Sequence, residues 1–395
     1  MRVRRRTPVV VVAAVIVAVA AGCVPPTTTL PRTPPPSTSG PNPDDAPRAG
    51  DAAYVGPGPY AAGVRTVRLE RGRQAEIWYP APPASTAGLT PDSYHITSFL
   101  SPFLRLFIPP SIDPTFTTTA FRDVPVAAGR FPLVLFAHGF ASYRLQSTFL
   151  TAHLASWGFV VISPDYPERG LSSLFGSPTA PTRSNASVAQ LAVSEMVALD
   201  TGDDPLAGHV DTSRLFPVGH SAGGGASMDV AGRRTDVQSW ISLSSGINAA
   251  NGVPAALRDP TKAALWMVGA DDHVVQPGSV QQAFDYTAGP RKLVVIPASG
   301  HNNAMSDICE IGKDRGGLIG IARSIGLALP DFITTLAQDG CTSPSAPSSE
   351  VWPIVRQFVT AELRYRAGLD AEPVGLGSSV VDHLGPVVPT YSHNP

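Results

Sequence analysis

Leu215-Phe216-Pro217-Val218-Gly219-His220-Ser221-Ala222-Gly223-Gly224-Gly225-Ala226 is the stretch that decides how this chain is read. A short apolar run of strand length leads into Gly-His-Ser-Ala-Gly, and a helical stretch rich in small residues follows over 222–231. A serine set on a sharp strand-to-helix turn needs small neighbours, because its backbone is forced into strained angles and the chain packs closely on either side. Gly219, Ala222, Gly223, Gly224 and Gly225 meet that need. Ser221 is therefore the candidate nucleophile, with Gly219, His220 and Gly223 forming its elbow. The plainer alternative is a glycine-rich turn whose serine only caps a helix.

Working outward, strand and helix signals alternate. Short apolar segments at 133–137, 159–163, 215–218, 240–243, 264–268 and 292–296 read as strands. Segments 148–157, 187–200, 222–231 and 352–367 carry helical spacing. Residues 64–69 and 75–79 alternate around Glu70-Arg71-Gly72-Arg73 and predict a hairpin. Short apolar strands separated by helices imply a mostly parallel central sheet with helices on both faces.

A serine hydroxyl attacks only when a base removes its proton, and the base needs an acid to orient it. On a strand–elbow–helix frame the chain order is serine, acid, histidine. Beyond Ser221 the histidines are His273, His301, His383 and His393. The last two lie in an aperiodic stretch, and His273 directly follows an aspartate. His301 follows the 292–296 strand and a flexible Ala298-Ser299-Gly300 loop, so it is the expected base. The acid should end the preceding strand, where Asp271 and Asp272 stand together. Position leaves both open; the resemblance of 269–275 to a hydrolase family pattern, Gly-x-x-Asp-x-x-Val, implies Asp272 as the acid, with Asp271 a turn residue. Two N–H groups must receive the oxyanion. Ala222 supplies one, and Phe140 in Ala137-His138-Gly139-Phe140 supplies the other, with its ring walling the acyl site. Asp165 and Tyr166, at the end of the 159–163 strand, either line the pocket or make a structural turn.

The termini carry a separate message. Arg2, Arg4, Arg5 and Arg6 precede an unbroken apolar run over 9–21, which ends at Ala20-Ala21-Gly22-Cys23. A run of that length is short for a bilayer span and reads as an export signal. Cys23 is the expected lipidation site, so residues 1–23 form a signal peptide with a lipobox-like cysteine. Plain secretion is the alternative. Residues 24–50 hold nine prolines and are expected to act as a semi-stiff tether. Without residues 1–22 the chain has 25 basic against 31 acidic residues. No basic run remains, so nothing points to nucleic acid. With 43% hydrophobic and 15% charged residues, a large core is affordable in composition. Residues 51–370 read as one domain and 371–395 as a tail or surface strap.

Of three cysteines, Cys309 and Cys341 remain once Cys23 is set aside, and an oxidising compartment would pair them. The alternative is two unrelated buried thiols. No CxxC or HExxH spacing suggests a metal, and no cofactor is expected.

Together, Phe136-Ala137-His138-Gly139-Phe140, Leu154-Ala155-Ser156-Trp157-Gly158-Phe159-Val160-Val161, the Ser221 elbow and Ser299-Gly300-His301 resemble the platelet-activating-factor acetylhydrolase family. Bacterial dienelactone-hydrolase-like proteins and cutinase-like polyester hydrolases share the layout. The resemblance spans roughly residues 56–368. It implies the α/β-hydrolase fold and a cofactor-free serine hydrolase acting on small carboxylic esters or lipid-derived acyl esters. Its departures are a serine where dienelactone hydrolases use cysteine, and a long segment at 302–350 after His301. The apolar stretch 318–329 within it predicts a small helical cap over the acyl pocket. An acyltransferase with the same triad, or a non-catalytic binding lipoprotein of this fold, are the competing readings.

Overall fold

The computed structural model describes residues 52–100, 102–106, 108–175 and 180–394. The chain divides into Met1–Asn42 and Pro43–Pro395, and every described residue belongs to the second unit. The expected signal peptide, Cys23 and tether lie outside the described residues.

The order of elements is β1 (Ala61–Glu70), β2 (Arg73–Ala81), β3 (Ser93–His95), α1 (Pro102–Arg105), β4 (Thr115–Thr117), β5 (Ala120–Arg122), β6 (Phe131–Ala137), α2 (Thr148–Ser156) and β7 (Val160–Pro164). There follow α3 (Asn185–Thr201), β8 (Val210–His220), α4 (Ala222–Arg233), β9 (Ser239–Leu243), α5 (Ala255–Arg258), β10 (Ala263–Gly269), α6 (Pro277–Tyr286) and β11 (Arg291–Ile296). The chain closes with α7 (Gly317–Ser324), α8 (Asp331–Gln338), α9 (Ser348–Arg366) and β12 (Thr390–Asn394).

Ten strands form one sheet in the order β12-β11-β10-β9-β8-β6-β7-β2-β1-β5. From β11 to β7 all neighbours are parallel. The β1–β2 hairpin joins antiparallel through β2 and β7. Every residue of β6, β7, β9 and β10 is buried, as a parallel sheet covered on both faces requires. One apolar core, including Phe136, Leu150, Val218 and Phe358, lies on one side of the sheet. A second, including Leu135, Met196, Trp240 and Trp266, lies on the other. Trp240 and Trp266 meet edge to face at 4.7 Å. Each fully buried side chain of this size contributes about 2 to 3 kcal/mol from area alone. This mixed α/β architecture, with its large central sheet, is compatible with the α/β-hydrolase fold.

The apolar stretch at 318–329 carries the helix α7 as far as Ser324. Gly326 then adopts a left-handed backbone (φ 73°), and a second helix, α8, starts after Pro330, beyond the stretch. The C-terminal stretch runs as a surface strap and not as a free tail. Thr390–Asn394 pairs antiparallel with β11 and closes that edge of the sheet. Tyr391 packs on Phe358 at 4.8 Å and donates its hydroxyl hydrogen to the Leu376 carbonyl. An edge strand buries only one side, and this five-residue polar alternation is too weak to read as a strand in sequence.

Candidate active site

The elbow is built by steric necessity. Ser221 has φ 56° and ψ −125°, a strained position for a residue with a side chain. Its N–H donates to the Leu243 carbonyl of β9 at 2.8 Å, which pins the turn to the sheet. A Cβ on Gly219 would lie 2.1 Å from the Gly223 oxygen, and one on Gly223 would lie 1.9 Å from the Ala137 oxygen. Glycine at these two positions lets α4 start directly against β6 and β8. Gly139 stands close as well: a Cβ there would approach the Ser221 Cβ to 3.2 Å.

His301 lies in the loop after β11, and Asp272 in the loop after β10. The His301 ring Nδ1 donates to Asp272 Oδ2 at 2.9 Å, with both side chains buried. Asp272 Oδ1 accepts the backbone N–H groups of Val274 and Val275 at 2.9 and 2.7 Å. The carboxylate is thus held at both oxygens, and its orientation is set before the imidazole arrives. Among the described residues, His301 Nε2 is buried with no hydrogen-bond partner. Ser221, His301, Gly139 and Phe140 line one cavity. Among the described residues neither the Phe140 nor the Ala222 N–H donates a hydrogen bond.

Asp271 is exposed. His273 is exposed and gives its Nδ1 hydrogen to Asp339 at 3.0 Å, and that hydrogen bond raises its pKa. His383 ends a short 3-10 turn, and His393 lies in β12. Asp165 and Tyr166 are not among the residues lining the cavity. Asp165 pairs with Arg144 at 3.1 Å, and the Tyr166 N–H donates to His138 Nε2 at 3.0 Å, so both serve the turn.

A buried relay behind the site had no sequence signal. The Gly139 N–H donates to Gln146 Oε1 at 2.7 Å. Gln146 Nε2 donates to His220 Nδ1. His220 Nε2 donates to the His301 carbonyl at 3.0 Å, because a carbonyl can only accept. Burial, followed by the nearby His301, holds the His220 pKa well below the ordinary range, so its ring stays neutral and Nδ1 keeps its lone pair. One chain of contacts therefore joins the Gly139–Phe140 turn, the elbow and the His301 loop. His138 is also neutral, its pKa pushed down to about 3 chiefly by burial and then by Arg169.

The cap is tied to the same loop. Cys309 and Cys341 form a disulfide that closes the segment. The carboxylate of Asp339, just after α8, accepts the His301 N–H at 3.1 Å and the His273 N–H at 3.0 Å. Asn303 Oδ1 accepts the Gly300 N–H at 3.0 Å, and its Nδ2 donates to the Ala346 carbonyl at 2.9 Å. Asp307 accepts from the Thr148 and Phe149 N–H groups at 2.6 and 3.1 Å and so caps the start of α2.

Strand order, elbow and cavity are compatible with the α/β-hydrolase fold, and comparison with known proteins points the same way. Residues 122–292 match a family profile described as PET hydrolase-like, which takes in Ser221 and Asp272 and ends before His301. The chain is 32% identical over 127 residues to the bis(hydroxyethyl) terephthalate hydrolase of Streptomyces coelicolor, covering 32% of this chain and 36% of the relative. It is 28% identical over 164 residues to lipase 1 of a Moraxella species, covering 41% of this chain and 46% of the relative. The chain thus spans less than half the length of the curated relatives it matches. These similarities fit a cutinase-like α/β-hydrolase, and both relatives are named as ester hydrolases.

Proposed function

We propose that the protein is a serine hydrolase of carboxylic esters, with Ser221 as nucleophile, His301 as base and Asp272 as its orienting acid. The observation that carries this reading is the buried Asp272–His301 pair, whose free Nε2 belongs to a ring lining the same cavity as Ser221. Because Asp272 accepts the Nδ1 hydrogen, Nε2 keeps a lone pair and can take the Ser221 proton. Oγ then attacks the ester carbonyl, and the oxyanion rests on the Phe140 and Ala222 N–H groups. Collapse expels the alcohol, which leaves with the proton held by His301. Water, deprotonated by the same imidazole, hydrolyses the acyl-enzyme and releases the acid and free Ser221.

The PET hydrolase-like match and the two ester-hydrolase relatives support this reading. Kinship with acetylhydrolase-like and dienelactone-hydrolase-like proteins stays part of the same proposal. The Cys309–Cys341 disulfide supports an oxidising compartment, and with the leader motif we place the protein outside the cytoplasm, lipidated at Cys23. The test is hydrolysis of p-nitrophenyl esters with equimolar release of acid and alcohol, beside the Ser221→Ala variant. Turnover in the wild type and none above background in the variant is expected. Equal turnover by both would refute the assignment.

A further inference from the structure

The cavity over Ser221 is lined on its far side almost entirely by aliphatic side chains. α7 and the loop after it contribute Leu318, Ile321 and Leu327, and α8 contributes Ile333 and Leu336. Ile96, Leu100 and Ile108 face it from the segment between β3 and β4. Of the polar lining residues, Gln146 and Asn302 are engaged. Gln146 holds Gly139 and His220, and Asn302 donates to the Leu336 and Asp339 carbonyls. Ser142, whose hydroxyl is buried without a partner among the described residues, follows the Gly139–Phe140 turn in sequence. The space is about 140 Å³. A dry apolar cavity of roughly that size accepts a guest of about six carbons.

We propose that this site selects esters of flexible aliphatic acids of medium length, roughly six to eight carbons, with the α7–α8 cap as the wall that receives the acyl chain. The proposal rests on the hydrolase reading and narrows its substrate. A terephthalate acyl group would fit poorly, because its second ester carbonyl would sit against Ile333, Leu336 and Ile321 with no donor. Burying such a carbonyl unpaired offsets what its ring gains by burial. An aliphatic chain meets no such penalty, and each methylene adds favourable contact. The segments that line the cavity also carry Leu106 and Phe332 outward, 81% and 61% exposed, as suits a substrate drawn from a lipid-like aggregate.

The experiment compares kcat/KM of the full exported chain on 2-hydroxyethyl acetate, butyrate, octanoate and palmitate and on bis(2-hydroxyethyl) terephthalate, which share one leaving group. A fluorophosphonate probe of Ser221 runs in parallel. Octanoate should exceed both acetate and the terephthalate ester by about tenfold or more. Ile333→Trp should lower the octanoate-to-acetate ratio by about tenfold, and Leu336→Ala should move the optimum to longer chains. A flat profile, a preference for the terephthalate ester, or a ratio unmoved in both variants overturns the proposal while labelled Ser221 keeps the hydrolase reading. An unlabelled Ser221 and no turnover of any ester overturn both.

Discussion

The sheet-borne half of the site and the cap that closes over it are made in different ways. Ser221, Ala222 and Asp272 are placed by backbone: a strand end, a helix start and a loop pinned through Val274 and Val275. The cap is placed by side chains and one covalent bond, through Asp339, Asn303 and the Cys309–Cys341 bridge. Backbone-built parts tolerate little change and set the chemistry. Side-chain-built parts can be repacked, and on the proposed reading they set which acyl group enters. His301 belongs to both, with its ring on Asp272 and its own N–H on Asp339.

The sharpest break in that comparison is Asp272→Asn. The Val274 and Val275 N–H groups would keep the amide oxygen, so the NH₂ would face His301 Nδ1. The ring would then carry its hydrogen on Nε2 and could not take the Ser221 proton. kcat should fall about 10⁴-fold with the fold intact by circular dichroism. A loss under tenfold would mean that Asp272 does not orient the base.

Gln146→Leu tests whether the relay positions the site. It leaves the Gly139 N–H and His220 Nδ1 unpaired and frees the oxyanion turn to drift. kcat should fall about 10²-fold with little change in KM. A KM effect alone would assign Gln146 to the cavity wall instead.

Replacing Cys309 and Cys341 together by alanine should act on the cap and spare the elbow. The bridge closes a loop of 32 residues' separation. On chain-entropy grounds its loss costs about 3 to 4 kcal/mol against the unfolded chain. A lower melting temperature and a flattened acyl-chain preference are expected, with Ser221 still reactive. Unchanged preference would show that packing alone holds the cap.

The buried histidines give a pH dependence of stability. Burial, ahead of a neighbouring arginine, pushes His138 and His153 down to about 3, and burial also lowers His220. In the unfolded chain such rings bind protons near pH 6.5. Between those values the unfolded state binds more protons, so this stability is complete above about pH 6.5 and is lost as pH falls towards 3. Urea midpoints should decline steadily from pH 6.5 to 4.5, and a level midpoint would contradict the burial of neutral rings.

Much of the frame is legible in sequence because it is local. The hairpin, the parallel strands and the strand–glycine–serine–helix turn each show in a window of about a dozen residues. Ser221 and His301 were singled out from chain order and strand ends, and Asp272 from a family pattern; the structure sets Ser221 and His301 on one cavity, with Asp272 hydrogen-bonded behind His301. Gln146 and Asp339 left no trace, because Gln146 reaches His220 across 74 residues and Asp339 reaches His301 across 38, and neither lies in a motif. β12 escaped for another reason: edge pairing needs only five residues and little hydrophobicity. The cap was visible as apolar composition, but its division into α7 and α8 depends on the left-handed turn at Gly326.

If Ser221 is the nucleophile, mass-spectrometric mapping of fluorophosphonate adducts on the wild type and on Ser221→Ala will find a single adduct on the peptide carrying Gly219-His220-Ser221, absent from the variant and slow to form in Asp272→Asn. An adduct on a different serine, or ester turnover that survives Ser221→Ala, would contradict that assignment.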